Sequence, residues 1–318
     1  MYTLSAYRPL LLYLLVSLLP WRTIDAGVLK DLPYPQAVLT AEEVAAQVYF
    51  VNHFYAVRNY SIQQEGNIIT LVIKRASGES PTTETVERYL NNDYNDGEVK
   101  AKDLAIFRSG RLRATAMLVT DYIDDNKTQA YAIWLPALRK VRRFAQPSFD
   151  DAWGGTDFTF EDVTLRKPSH ETHMLLGQEI FDTCLSIMNI PPDQQNKYMT
   201  ELPQPSCAAR GRTVYKLKSN TRFQNWWYDY RISYIDSKTF GDYRTEIFKD
   251  GEKIRVIDRD WGSMDLPDPR ALTWRYWYGK NLKTGHETWA IIPTAVNHWN
   301  TEINPMLWTE NTLQKLDR

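Results

Sequence analysis

Apolar positions recur in two rhythms along this chain. From Thr40 the spacing is helical. Thr40-Ala41-Glu42-Glu43 has the form of a capping box, and Val44, Val48, Val51 and Tyr55 follow on one stripe. This predicts an amphipathic helix over about residues 41–57. After it the period drops to two. Ile69, Leu71 and Ile73 share a face within 67–75; Met117, Val119 and Ile123 do so within 112–123; Tyr131, Ile133 and Leu135 do so within 129–135. Farther on, Trp226, Tyr228, Tyr230, Ile232 and Tyr234 alternate with Trp227, Asp229, Arg231 and Ser233. That pattern predicts one apolar aromatic face and one more polar face. Asp250-Gly251 marks a hairpin turn. Strands are predicted near 212–218, 241–249, 253–260, 271–278 and 286–292. Pro191-Pro192 and the polar segment through Pro205 read as an irregular insertion, flanked by Cys184 and Cys207. Composition does not change across it, so a single mainly β (α+β) domain over 27–318 is expected.

The first residues follow neither rhythm. Arg8 precedes the apolar run from Leu10 to Leu19, and Pro20 breaks it. The run is short for a bilayer span, and the order is that of a secretory signal over 1–26, cleaved after Ala26; an uncleaved anchor is the alternative. No cysteine sits where lipoprotein processing would need one, so a soluble exported protein is expected. In an oxidising compartment Cys184 and Cys207 can pair, worth about 3 kcal/mol by loop closure; two free thiols are the alternative.

Composition adds two things. With 11 Trp, 19 Tyr and 11 Phe in 318 residues, the chain is rich in side chains that favour strands and bury large areas. A net charge of −1 provides no field to draw it to nucleic acid.

Candidate chemistry is sparse. His170-Glu171-Thr172-His173 lacks the i, i+4 histidine spacing of a zincin helix, so no metal is expected and the histidines read as solvated loop residues at the sheet rim. Asp150-Asp151 and Glu161-Asp162 could be paired carboxylates, but turn structure beside Gly154-Gly155 is the favoured use. A hydrolase using Asp151 or Asp157 is a remote reading. No nucleophile elbow, phosphate loop or dinucleotide fingerprint is present, so neither an enzyme nor a cofactor is expected. Arg139, Lys140, Arg142 and Arg143 form a dense basic run. If it is extended, Arg139 and Arg143 share one face and Lys140 and Arg142 the other. The run is either a solvated strand or a contact for phosphate headgroups or an acidic partner surface.

One block, residues 134–163, joins a strand ending in Leu-Pro to this basic run, then to a Trp-Gly-Gly turn and a short aromatic strand. Together with Asp103-Leu104-Ala105-Ile106-Phe107-Arg108, Gly155-Thr156-Asp157-Phe158-Thr159-Phe160-Glu161-Asp162 and Leu175-Leu176-Gly177, it resembles the LolA-like outer-membrane lipoprotein-sorting family. The insertion around 184–207 departs from that family's pattern. The resemblance implies a curved antiparallel half-open β-barrel with helices over its concave face, an apolar cavity for acyl chains, and a periplasmic setting. It also implies a partnership with RND-type inner-membrane exporters. On this reading the protein is a monomeric carrier of a lipid or acylated protein. Trp134, Phe158, Phe160, Trp226, Tyr228 and Tyr230 are expected to line the cavity, and Arg139, Arg142 and Arg143 to meet headgroup or partner. A non-catalytic envelope scaffold with a filled core is the alternative.

Overall fold

In the computed structural model, which describes residues 28–144, 147–163, 166–186 and 206–315, the alternating stretches become antiparallel strands of one sheet. The predicted signal segment 1–26 and most of the insertion, 187–205, lie outside the described residues. The strands of the first half are β1 (Asn59–Ile62), β2 (Thr70–Arg75), β3 (Thr82–Asn91), β4 (Val99–Phe107), β5 (Ala116–Tyr122), β6 (Ala130–Leu135) and β7 (Lys140–Phe144). Those of the second are β8 (Glu171–Ile180), β9 (Thr213–Thr221), β10 (Tyr230–Asp236), β11 (Asp242–Lys249), β12 (Glu252–Ser263), β13 (Leu272–Asn281), β14 (Glu287–Ile291) and β15 (Asn297–Trp299). Their order is β7-β6-β5-β4-β3-β2-β14-β13-β12-β11-β10-β9-β8, with β1 pairing β3 and β15. The β14–β2 pair fuses the two halves. The edges, β7 and β8, do not meet, so the sheet is not closed.

The sheet curls. Arg88 on β3 lies 5.0 Å from the ring of Trp274 on β13. Those strands are three spacings apart, about 14 Å in a flat sheet, so the sheet bends towards the face that carries both residues. We call this the inner face. Asp250 (φ 52°) and Gly251 (φ 79°) make the two-residue turn between β11 and β12, both in the left-handed conformation that such hairpins require.

Helix α1 (Ala41–Asn52) has the predicted capping box between Thr40 and Glu43. It ends five residues short of the expectation. Asn52 turns its amide to Val48 O and Asp242 Oδ1, and Phe54 adopts φ 54° and stacks on Tyr60 at 4.0 Å. The stripe Val44, Ala45 and Val51 is buried over β8 and β9. No helix among the described residues is long and apolar enough to cross a membrane.

The face assignment of β10 is the reverse of the sequence expectation. The strand begins only at Tyr230, and Arg231, Ser233 and Ile235 point to the inner face, against Ile247, Thr245 and Asp242. Tyr230 and Tyr234 point outward, Tyr230 stacking on Phe248 at 4.8 Å. Amphipathic patterning fails here because the core behind this half of the sheet is itself charged.

Candidate functional site

Residues 149–163 cross the inner face as a strap. Trp153–Gly155 forms a 3-10 turn in which Gly154 and Gly155 take φ values of 58° and 71°, a pair of left-handed positions that glycine adopts without strain. Trp153 N donates to Phe158 O at 2.8 Å, closing the turn. The predicted short aromatic strand then proves to be a helical turn, α2 (Phe160–Val163). Thr159 caps it: Asp162 N donates to Thr159 Oγ1 at 3.2 Å, and Thr159 N to Asp162 Oδ2 at 2.9 Å. This reciprocal pair is a capping box built with aspartate.

Two aromatic side chains press the strap onto the sheet. Trp153 lies against Phe107 at 5.4 Å, in a cluster with Val72, Val86, Ala105, Met117, Val119 and Tyr131. Phe158 meets Trp277 edge-on at 5.4 Å. It also lies on Gly279, where an added Cβ would stand 2.9 Å from its ring; only glycine admits so close an approach. Between these anchors is an apolar void of about 60 Å³, walled by residues that include Val72, Ala105, Trp274, Trp277 and Ile292. Asp157 holds the strap at its bend, accepting from Thr288 Oγ1 at 2.8 Å and meeting His286 Nδ1 at 2.5 Å.

A second void, of about 50 Å³, lies beneath α1 and is lined by charged as well as apolar side chains. From the strap side come Glu161, Asp162 and Arg166; from the sheet come Glu171, Arg231, Asp242 and Arg259. Arg166 bonds Glu161 at 2.7 Å and Asp162 at 2.9 Å. Within this cluster the strap meets Arg255 of β12, through Asp162 at 3.4 Å, and the Tyr228 hydroxyl just ahead of β10, through Glu161 at 2.9 Å. The sheet's own pairs are Glu171–Arg231 and Asp242–Arg259, each at 2.5 Å. Burial alone would raise the Asp162 carboxyl, but Arg166 and Arg255 outweigh it and hold it below the usual carboxylate range. Glu171 is pulled down to about 2, burial being overcome by Arg231. Arg259 Nε and Glu161 Oε2 are buried with no hydrogen-bond partner among the described residues.

The six predicted cavity residues do not share one cavity. Phe158 lines the apolar void, and Phe160 packs beside it on Tyr131 at 5.9 Å. Tyr228 is buried but serves the ionic cluster through its hydroxyl. Trp226 belongs to a separate group with Phe149 and Phe223. Tyr230 faces outward. Trp134 lies on the outer face with Leu118, Trp308 and Leu313, because Tyr131 and Ile133 take the inward positions of β6. Trp153, Trp274 and Trp277 complete the apolar void and Arg259 the charged one, with Arg255 beside them as a partner of Asp162. Sequence spacing had not placed Trp153 or the two arginines there.

The basic run is also divided. Arg139 sits in a left-handed turn ahead of β7 (φ 49°), so it shares no strand face with Arg143. Arg139 and Arg142 are exposed. Arg143 makes a two-bonded pair with Glu310, both at 2.8 Å. Cys184 and Cys207 form a disulfide. His173 is part of β8 rather than a rim loop, and bonds Ser219 Oγ at 2.9 Å and Pro168 O at 3.0 Å. His170 lies among Phe149 and Phe223, with burial and Lys167 pushing it down to about 4. Among the described residues no group of three or more His, Cys, Asp or Glu side chains could hold a metal ion.

A family model described as an uncharacterized protein matches residues 100–202. No curated protein matches the chain. Among solved structures it is similar to a domain described as an outer membrane lipoprotein-sorting protein from Vibrio parahaemolyticus, with TM-score 0.63 and 15% identity over 86% of this chain and 98% of that one. It is similar to a DUF1329 family protein from Desulfovibrio piger, with TM-score 0.63 and 13% identity over 86% and 98%. A third, a LolA superfamily protein from Nitrosomonas europaea, gives TM-score 0.52 and 9% identity over 86% and 100%. At such identities the likeness is one of fold: the chain has the LolA-like fold, a large open antiparallel sheet with helical segments across its inner face.

Proposed function

We propose that this protein is a periplasmic carrier that binds the acyl part of a lipid or lipoprotein against the inner face of its sheet, without catalysis. The observation that carries the reading is the apolar void beneath Trp153 and Phe158, walled by sheet residues and closed by a strap rather than by further strands. The LolA-like fold supports it, as does the lipoprotein-sorting description of one structural neighbour. A disulfide suits an oxidising compartment. In this reading residues 1–26 direct export and the mature chain acts as a monomer. It exchanges cargo with an RND-type inner-membrane exporter through the exposed Arg139 and Arg142.

Size and energy define how such a carrier works. A void of about 60 Å³ is well under the roughly 150 Å³ that accommodates benzene in an engineered apolar cavity. An acyl chain therefore enters only when the strap leaves. Burying Trp153 and Phe158 holds the strap by about 1.5–3 kcal/mol for each side chain. Burying about a dozen methylenes at about 0.8 kcal/mol each returns on the order of 10 kcal/mol, so the chain outweighs the aromatics it displaces.

Native mass spectrometry of the exported protein tests this reading. Lipid masses carried by the folded monomer are expected, together with saturable binding of a fluorescent fatty acid. A protein that arrives empty and binds no fatty acid overturns the carrier. The small void would then favour the second reading, an envelope scaffold with a filled core.

A further inference from the structure

The two voids lie on either side of the Arg259–Trp277 contact, and the strap lines both, with Trp153, Phe158 and Val163 in one and Glu161 and Asp162 in the other. Arg259, which lines the charged void, lies 4.1 Å above the ring of Trp277, which lines the apolar one. Across this joint the strap sets Phe158 on Trp277 and, within the next four residues, Glu161 on Tyr228 and Asp162 on Arg255. The strap thus presents an apolar group and an acidic group at the spacing of the two voids, as an amphiphile would.

Charge counting shows what the sheet lacks once the strap lifts. Glu161, Asp162 and Arg166 leave together because they are bonded to one another. Arg231 and Arg259 keep their sheet partners, Glu171 and Asp242. Arg255 loses Asp162, Tyr228 loses Glu161 and keeps Glu171 at 3.3 Å, and Arg259 Nε has no hydrogen-bond partner among the described residues. Three guanidinium groups then face two carboxylates. A buried uncompensated cation is unfavourable unless an anion arrives with the chain.

Building on the carrier reading, we propose that the cargo is an acidic lipid: its anionic headgroup replaces the strap's carboxylates at Arg255, Arg259 and Tyr228 while its chain replaces Phe158 on Trp277. The strap is an internal stand-in for the ligand, and binding exchanges one acidic amphiphile for another. Guanidinium forks suit phosphate and carboxylate headgroups alike.

The experiment compares two lysolipids of equal chain length, one with an anionic phosphoglycerol headgroup and one uncharged monoacylglycerol. Each is titrated into the full mature protein with intrinsic tryptophan fluorescence as readout, and inorganic phosphate is titrated separately. The intact protein is expected to prefer the anionic lysolipid by roughly tenfold or more, the scale of a charge-assisted hydrogen bond, and not to respond to phosphate alone. Arg255→Gln should lose that preference while still binding the uncharged lipid. Asp162→Asn, which removes the internal competitor, should bind the anionic lipid more tightly and the uncharged one no better. A purely structural role for Asp162 would not produce that gain. Equal binding of both lysolipids by the intact protein overturns the acidic cargo and leaves the carrier standing. Binding of neither overturns both, and a response to phosphate alone shows a free-anion site instead.

Discussion

Replacing Glu171 by glutamine is expected to remove about 3–5 kcal/mol of stability at neutral pH, the scale for breaking one side of a buried ion pair. Glu171 accepts from Arg231 Nε at 2.8 Å and Nη2 at 2.5 Å, and from Tyr228 OH at 3.3 Å, with only 1% of its side chain exposed. An amide keeps the shape and loses the charge, so Arg231 is left buried without its counter-ion. The pH dependence has a definite sign. The folded carboxyl sits at about 2, against an ordinary 4.5, so the folded state binds its proton later than the unfolded state does. Its contribution, on the order of 3 kcal/mol, is complete above the unfolded value and is lost as pH falls from about 4.5 to about 2. Urea denaturation at pH 7 and at pH 3 should show the gap between parent and Glu171→Gln narrowing in acid. A variant within about 1 kcal/mol of the parent at neutral pH would mean that the pair is not buried as described.

This cluster is also where sequence reasoning gave way. The capping box at Thr40, the Asp250-Gly251 hairpin and the strands around Tyr131 and Ile73 follow from local rules, and local rules were enough for them. Alternation puts Arg231 and Ser233 on the more polar face of their strand, opposite the aromatic one, and such a face is outward when the core is apolar. They point inward because Glu171, from a strand far away in sequence, waits there. Glu161 and Asp162 read as turn residues for a related reason. Each is in a turn, but the partners that give them meaning, Tyr228 and Arg255, are brought together only by the sheet. The split between Trp134 and Phe158 needed the register of β5 and β6 and the position of Trp308, none of which periodicity supplies. Family resemblance supplied the architecture; which side chains meet required the tertiary structure.

Fixing the strap to the sheet should abolish uptake of an acyl chain. A Cβ added at Gly279 would stand 3.3 Å from Asp157 Cβ, close to the mean of about 3.8 Å for disulfide pairs. Asp157→Cys combined with Gly279→Cys therefore offers a cross-link once the ring of Phe158, 2.9 Å from the new atom, slides aside. With the strap tethered at this bend, Phe158 cannot vacate Trp277, and the void beneath it keeps a volume that admits no acyl chain. If binding depends on the open state, oxidising the double variant should weaken binding of a fluorescent fatty acid by roughly 100-fold or more, since the competent population is removed. Reduction should restore it. The parent protein under the same reductant controls for loss of Cys184–Cys207, whose neighbours Ser186 and Ser206 bond Asp258 and Asp260 on the face of β12 opposite Arg259. Undiminished binding by the oxidised form would place the ligand somewhere other than beneath residues 149–163. The cross-link also separates the strap's two roles. Stability should rise on oxidation, because closure no longer competes with opening, while uptake falls. On the proposed carrier reading, the cross-linked form is more stable for the same reason that it takes up no chain: Phe158 stays on Trp277.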